Sequence, residues 1–343
     1  MTVTGSGGSG RGRGERGMTL AEMLVVLALM SIVGLMFTQL YVGTIHTTMF
    51  LESNNDLALF GQEAVNEIKL EIMQSRRLFQ NDTVGQGYLA ALALPSAQPL
   101  LTGSRLPEAD PNGVFRPDAS GETRTGNALL AVRELEAITA TVDHDGDAST
   151  ADVDFLADVF RFQLYYLTKR TEKPIEPFVY ALDLVEFESQ SYADYFQLSG
   201  LPSTYRTEVA KVLYAAGLRF AWDPGQDAAN AFYQIGSDGS LTGPVTHQVP
   251  PARVRSLLPQ LRGGRITGAM DYSVGITGTP PLQTIDPVSV MAQESGSFPS
   301  GFEVQVIGPS GARKVLVRLM LVAQYQQKLT SHANSVSVTV AEF

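Results

Sequence analysis

From Met23 to Leu51 the chain carries no Asp, Glu, Lys or Arg, and a single acid, Glu22, stands directly in front of this run. At about 1.5 Å per residue, a helix from Met23 to Leu40 covers about 27 Å, close to the hydrocarbon thickness of a bilayer. The segment therefore predicts a membrane span at about residues 23–40. Arg11, Arg13 and Arg16 lie just before it with Glu15 as their one acid. The bias of positive charge toward the cytoplasm puts the N-terminus inside and everything after about Leu40 outside the inner membrane.

A secretory signal would have a shorter apolar region closed by a small-residue cleavage site. Here the composition changes at the front edge instead, where a Gly/Ser/Arg-rich leader stops at Gly17. The stretch "GMTLAEMLVVLALMSIVG", Gly17 to Gly34, resembles the class III signal of type IV pilins and pseudopilins. The resemblance implies a prepilin peptidase that cuts after Gly17 and methylates the new amine of Met18, leaving Glu22 as the fifth mature residue. It further implies other pilins or pseudopilins and an inner-membrane assembly platform as partners, beside membrane lipid.

Physical chemistry supplies a reason for the acid. A lone carboxylate in a membrane helix costs about 2.5–3.5 kcal/mol on insertion scales, so such acids have a partner or a function. Cleavage after Gly17 would create one, the ammonium of Met18. Positions 18 and 22 share a helix face, so Glu22 can neutralise its own terminus. The family resemblance implies instead a pairing with Met18 of a neighbouring subunit. The plainer alternative is a single-pass anchor whose Glu22 sits among headgroups.

Past the span, Leu57, Phe60, Ala64, Ile68 and Ile72 recur at helical spacing, with Glu63, Glu67, Lys69 and Glu71 on other faces. This predicts a leader at 1–17, one long helix over 18–79 closing on Arg76 and Arg77, and an exported domain over 80–343. Gly34, Gly43 and Gly61 are either flexible points or small residues beside packed neighbours. Gly, Pro, Asn and Asp accumulate at 81–125 and again at 225–300, which predicts long loops. Between and after them, "ALLAVRELEAITATV", "DVFRFQLYYLTK", "FVYALDLVEFE", "VLYAAGLRFAWD", "FEVQVIG", "KVLVRLMLVAQYQ" and "SVSVTVAEF" read as strands. Without regular strand-helix alternation, the expected class is α+β, a long helix packed on mainly antiparallel sheet as in pilins. The order "FRFQLYYL", "FVYALDL", "VLYAAGLRFAWDPG" resembles minor pseudopilin J and related large minor pilins, over about a third of the chain.

One motif suggests a metal. "DHDGDASTADVD" sets Asp143, Asp145, Asp147 and Asp154 at positions 1, 3, 5 and 12 of an EF-hand-like loop, a spacing suited to Ca²⁺. Ala148 stands where that loop needs glycine, and Asp154 replaces the longer glutamate. A solvated acidic turn is the competing reading. The histidines His46, His144, His247 and His332 accompany no catalytic signature. Trp222, Phe220 and Tyr214 read as core, and the sequon at Asn81 reads as loop.

A net charge of −10 argues against a nucleic-acid partner, and the lack of cysteine excludes disulfides and thiolate sites. The expected function is structural rather than enzymatic: a minor pilin or pseudopilin of a type IV pilus or type II secretion pseudopilus, at the filament tip or initiation complex. Retention of Glu22 departs from the tip pseudopilin type that lacks this acid. The alternative is a pilin-anchored exported binding protein for adhesion or DNA uptake.

Overall fold

The computed structural model describes residues 19–115, 124–143, 152–169, 180–257, 271–274, 276–277, 301–325 and 328–342. It divides into two units, Met1–Glu52 and Ser53–Phe343.

Helix α1 (Leu20–Met73) supplies the described part of the first unit and the beginning of the second. Its first portion is apolar on every side, with Leu20, Met30 and Phe37 all exposed. An apolar window of mean hydropathy 2.4 makes it long and apolar enough to cross a membrane. Its serine and threonine hydroxyls bond within the helix: Ser31 donates to the Leu27 carbonyl at 2.8 Å and Thr38 to that of Gly34 at 2.9 Å. Thr44 and Thr47 do the same with Leu40 and Gly43. Internal satisfaction of this kind is what a segment needs in hydrocarbon, where no water can serve a stray donor.

In the second unit, α1 buries Leu57, Ala64, Val65, Ile68 and Ile72. Phe60, expected in this stripe, is only half-buried, and Gly61 takes the inner position. A Cβ at Gly61 would stand 2.0 Å from the side-chain nitrogen of Asn334, so glycine here lets a strand lie directly against the helix. At Gly34 and Gly43 an added Cβ would meet nothing within 4 Å.

The helix ends at Met73 and not at Phe79. The Ser75 hydroxyl donates to the Glu71 carbonyl at 3.2 Å, and strand β1 (Ser75–Leu78) follows at once. Phe79 lies seven residues after Ile72, a separation that fits a helix, while four strand residues are too few to show alternation. Arg76 and Arg77 therefore sit in a strand and not in the last turn of α1.

Strands β3 (Ala128–Glu134), β6 (Val159–Lys169) and β7 (Tyr180–Asp194) form the centre of a nine-stranded sheet. Its order is β1-β3-β6-β7-β8-β9-β10, with β8 at Phe220–Trp222, β9 at Phe232–Ile235 and β10 at Leu241–Thr242. Strands β11 (Pro251–Ser256) and β13 (Ile276–Thr277) also pair with β7. Pairing is antiparallel except between β7 and β8. A second, five-stranded sheet joins β2 (Ala109–Asp110), β12 (Asp271–Val274), β14 (Phe302–Ile307), β15 (Arg313–Tyr325) and β16 (Lys328–Val340). Strands β4 (Ile138–Val142) and β5 (Val153–Ala157) make a separate hairpin. The layout is α+β and mostly antiparallel, as expected.

Alternation divides the large sheet chemically. Phe160, Phe162, Leu164 and Tyr166 of β6 join Val185 and Phe187 of β7 in an aromatic core. Helix α2 (Thr83–Ala91) closes this core with Tyr88 and Leu89. Its presence corrects the expected loop over 81–125. Gly85 and Gly87 depress the helical signal, but Asp82 caps the helix by accepting from the Gly85 N–H at 2.7 Å. Tertiary contact supplies the remainder: Tyr88 stacks on Phe162 at 5.7 Å and accepts from the Trp222 indole at 3.0 Å. The expected loop over 225–300 likewise contains β9 to β13 among its described residues.

A smaller core gathers Val209, Ala210 and Leu213 with Leu198 and Ala221. Its first three residues belong to α4 (Ser203–Ala215), and Leu198 to the short α3 (Tyr195–Ser199). Thus "VLYAAGLRFAWD" is not one strand: Val212 to Ala215 end α4, and only Phe220 to Trp222 are extended. Tyr214 lies on that helix under the guanidinium of Arg219 at 3.7 Å, while Trp222 is core as expected.

Candidate functional site

The start of α1 is built by two side chains. The Thr19 N–H donates to Glu22 Oε2 at 2.9 Å and its hydroxyl to the same oxygen at 3.0 Å. In return the Glu22 N–H donates to the Thr19 hydroxyl at 3.3 Å. The Met23 N–H donates to the Thr19 carbonyl at 3.0 Å, the first bond of the helical ladder. This is a reciprocal capping box, in which orphan donors of the first turn are met from inside the same turn. A carboxylate there also faces the positive end of the helix dipole, which favours its charge.

Glu22 thus has work to do before any ammonium exists. The expectation made it a partner for a charge created by cleavage and overlooked its hold on Thr19. The signal was present in the letters T-L-A-E, the Thr-x-x-Glu spacing of a capping box ahead of an apolar run. Gly17 and Met18, the expected cleavage pair and methylation position, lie outside the described residues.

The aspartate-rich segment connects β4 to β5. Asp143 follows β4 directly, and Asp154 in β5 faces Thr141 of β4 across the hairpin. Asp154 Oδ1 accepts from the Thr141 hydroxyl at 2.6 Å. Asp145, Asp147 and His144 lie outside the described residues. Among the described residues no group of three or more His, Asp or Glu side chains is placed to hold a metal ion.

The polar face of the large sheet is occupied by charges that the expected pattern left on the solvent side of α1. Glu67 and Glu71, one helical turn apart, meet Arg255 and Arg133. Arg255 also bonds the buried Glu186, and Arg253 reaches Glu186 at 3.3 Å and Glu188 at 3.0 Å. Gln163 donates to Glu186 at 2.8 Å, beside the Tyr165 hydroxyl at 3.3 Å. Burial, reinforced by the Glu186 carboxylate, pushes the Tyr165 hydroxyl well above its ordinary pKa. Every acid in this layer faces an arginine, an arrangement that fixes α1 in register on the sheet.

His247 is a packing residue. Its Nε2 is 3.0 Å from the Tyr192 hydroxyl, and its ring lies 3.8 Å from that of Phe220. Asn81 bonds Gln86 and Glu108 at the start of α2.

Compared with known families, residues 12–38 match the prokaryotic N-terminal methylation motif. The chain carries a class III signal. The match spans Gly17 and Met18, the capping box of Thr19 and Glu22 and the first turns of the apolar helix. It is consistent with a type IV pilin-like protein, processed by prepilin peptidase and assembled with other pilins. The apolar helix fits the membrane anchoring that such a signal brings. No curated protein and no solved structure matches the chain.

Proposed function

We propose that the chain is a minor pilin or pseudopilin, a structural subunit of a type IV pilus or a type II secretion pseudopilus. It is inserted with its N-terminus in the cytoplasm, cut between Gly17 and Met18, methylated on Met18, and drawn from the membrane into a filament through α1. The observation that carries this reading is the register of three features. The methylation motif at 12–38, the Thr19–Glu22 box and the apolar helix from Leu20 coincide without an intervening residue.

The chemistry follows from that register. Cleavage would leave an ammonium on Met18, four residues before Glu22 and next to the Thr19 cap. Glu22 is already held at the helix start, so a neighbouring Met18 would meet an oriented acid in a medium of low dielectric, where the pairing is strong. A second unit as large as Ser53–Phe343 favours the filament tip or the initiation complex, where lateral neighbours are few. The role is structural rather than enzymatic, and its partners are the peptidase, other pilins and the assembly platform.

The test is co-assembly. Glu22→Ala, expressed beside wild-type subunits, should insert and be cleaved normally yet be depleted from sheared filaments at least tenfold. Equal incorporation of the variant would remove the assembly role of the acid.

A further inference from the structure

A cavity of about 310 Å³ opens where β1, the start of α2, the β14–β15 turn and the C-terminal tail meet. Three arginines line it, Arg76, Arg77 and Arg313. Its acids are Asp82 and Glu342. Consecutive residues of a regular strand point to opposite faces. Here the register between β1 and β3 slips between Ser75 and Arg77, so β1 carries a bulge at Arg76. The bulge breaks the alternation and lets both neighbouring arginines line one cavity, the kind of re-aiming that bulges provide beside binding sites.

Each arginine is held in place with donors to spare. Arg77 donates to the Pro224 carbonyl and lies over Phe79 and Tyr88, 4.9 and 5.6 Å from the ring centroids. Arg76, with half its side chain exposed, pairs with Glu134, which is not part of the cavity wall. Arg313 is buried and grips Glu342, Nε to Oε2 at 3.0 Å and Nη1 to Oε1 at 3.4 Å. The same carboxylate accepts from the Leu78 N–H at 2.8 Å. Asp82 is turned to the first turn of α2. One wall thus already holds a glutamate side chain of the tail by an arginine ion pair and a backbone donor, partners that suit a carboxylate.

We propose that this cavity is a binding site for an acidic peptide segment of a partner protein, whose carboxylates are taken by Arg76 and Arg77 beside the Arg313–Glu342 pair. A guanidinium held over aromatic rings is pre-organised, so little side-chain freedom is lost on binding. The size suits two or three side chains, at the lower end of the about 300–1,000 Å³ typical of ligand sites. The carboxylate of Glu342 held in the wall is the observation that points to an acidic side chain as the occupant. The inference does not depend on the filament reading.

The test is calorimetric titration of the full chain in nonionic detergent with hexaglutamate, using hexaglutamine and inorganic phosphate as comparisons. Hexaglutamate should bind saturably and hexaglutamine should not. Arg76→Gln should weaken binding at least fivefold with an unchanged thermal midpoint, since Arg76 is half-exposed, and Arg76→Lys should recover part of the loss. Undiminished binding in Arg76→Gln, no saturable binding by the wild type, or displacement by phosphate at matched concentration would each overturn the assignment.

Discussion

Thr19 and Glu22 hold one another: the N–H of Thr19 donates to the Glu22 carboxylate at 2.9 Å, and the Thr19 hydroxyl accepts from the N–H of Glu22 at 3.3 Å. Two roles for the acid follow, a cap for the helix and a charge for a partner, and they respond to different substitutions.

Thr19→Ala removes the hydroxyl and should loosen the first turn by about 1 kcal/mol, the usual cost of a lost cap. Amide exchange at the start of α1 should then quicken roughly fivefold. Glu22→Gln keeps an oxygen acceptor of the type that capping boxes tolerate but abolishes the charge. It should preserve slow exchange and still be depleted from filaments as strongly as Glu22→Ala. Normal incorporation of Glu22→Gln would reduce the acid to a cap.

The buried layer under α1 makes a stability prediction. Glu186 has only 1% of its side chain exposed and faces Arg253 and Arg255. Glu186→Ala removes the acceptor that they share with the Tyr165 hydroxyl; both arginines are partly exposed and keep Glu188 and Glu67, so the loss should be about 1–3 kcal/mol, that of a buried donor left unsatisfied. Urea unfolding of the full chain in detergent should register this loss. A shift below about 1 kcal/mol would show the layer to be solvated, as surface pairs are.

Acidification should weaken the second unit through His247. Burial lowers the pKa of its imidazole, so the folded chain resists a proton that the unfolded chain accepts. The stability is fully present above about pH 6.5, the unfolded value, and is lost as pH falls from there toward the folded value. The thermal midpoint of the wild type should therefore drop between neutral pH and pH 5 more than that of His247→Gln. Parallel pH profiles would place the sensitivity elsewhere.

Much of this was legible in the sequence, for identifiable reasons. The apolar run, the register at Glu22 and the strands of β6, β7 and β15 follow from patterns long enough to dominate their surroundings. The end of α1 was misplaced because Arg76 and Arg77 read as the basic last turn that a helix dipole favours, whereas they belong to β1. Helix α2 was hidden by Gly85 and Gly87, and is held by Tyr88 against Phe162 and Trp222, contacts that no local pattern contains. Glu67 and Glu71 looked solvated because their arginines lie far along the chain, at 255 and 133.

The aspartate loop gives a further test. An EF-hand-type site takes both oxygens of its twelfth residue. Asp154, at that position, instead accepts from Thr141 at 2.6 Å within the hairpin. Millimolar calcium and excess chelator should therefore give the same thermal midpoint. A rise of several degrees with calcium, abolished by Asp145→Ala, would establish a metal site there.

The most direct measurement is the mass of the native N-terminus, taken on the full chain extracted from membranes of cells that contain prepilin peptidase. The account predicts that the first residue is Met18 and that its amine is methylated. A chain that still begins at Met1, or one that begins at Met18 without the methyl group, would contradict it.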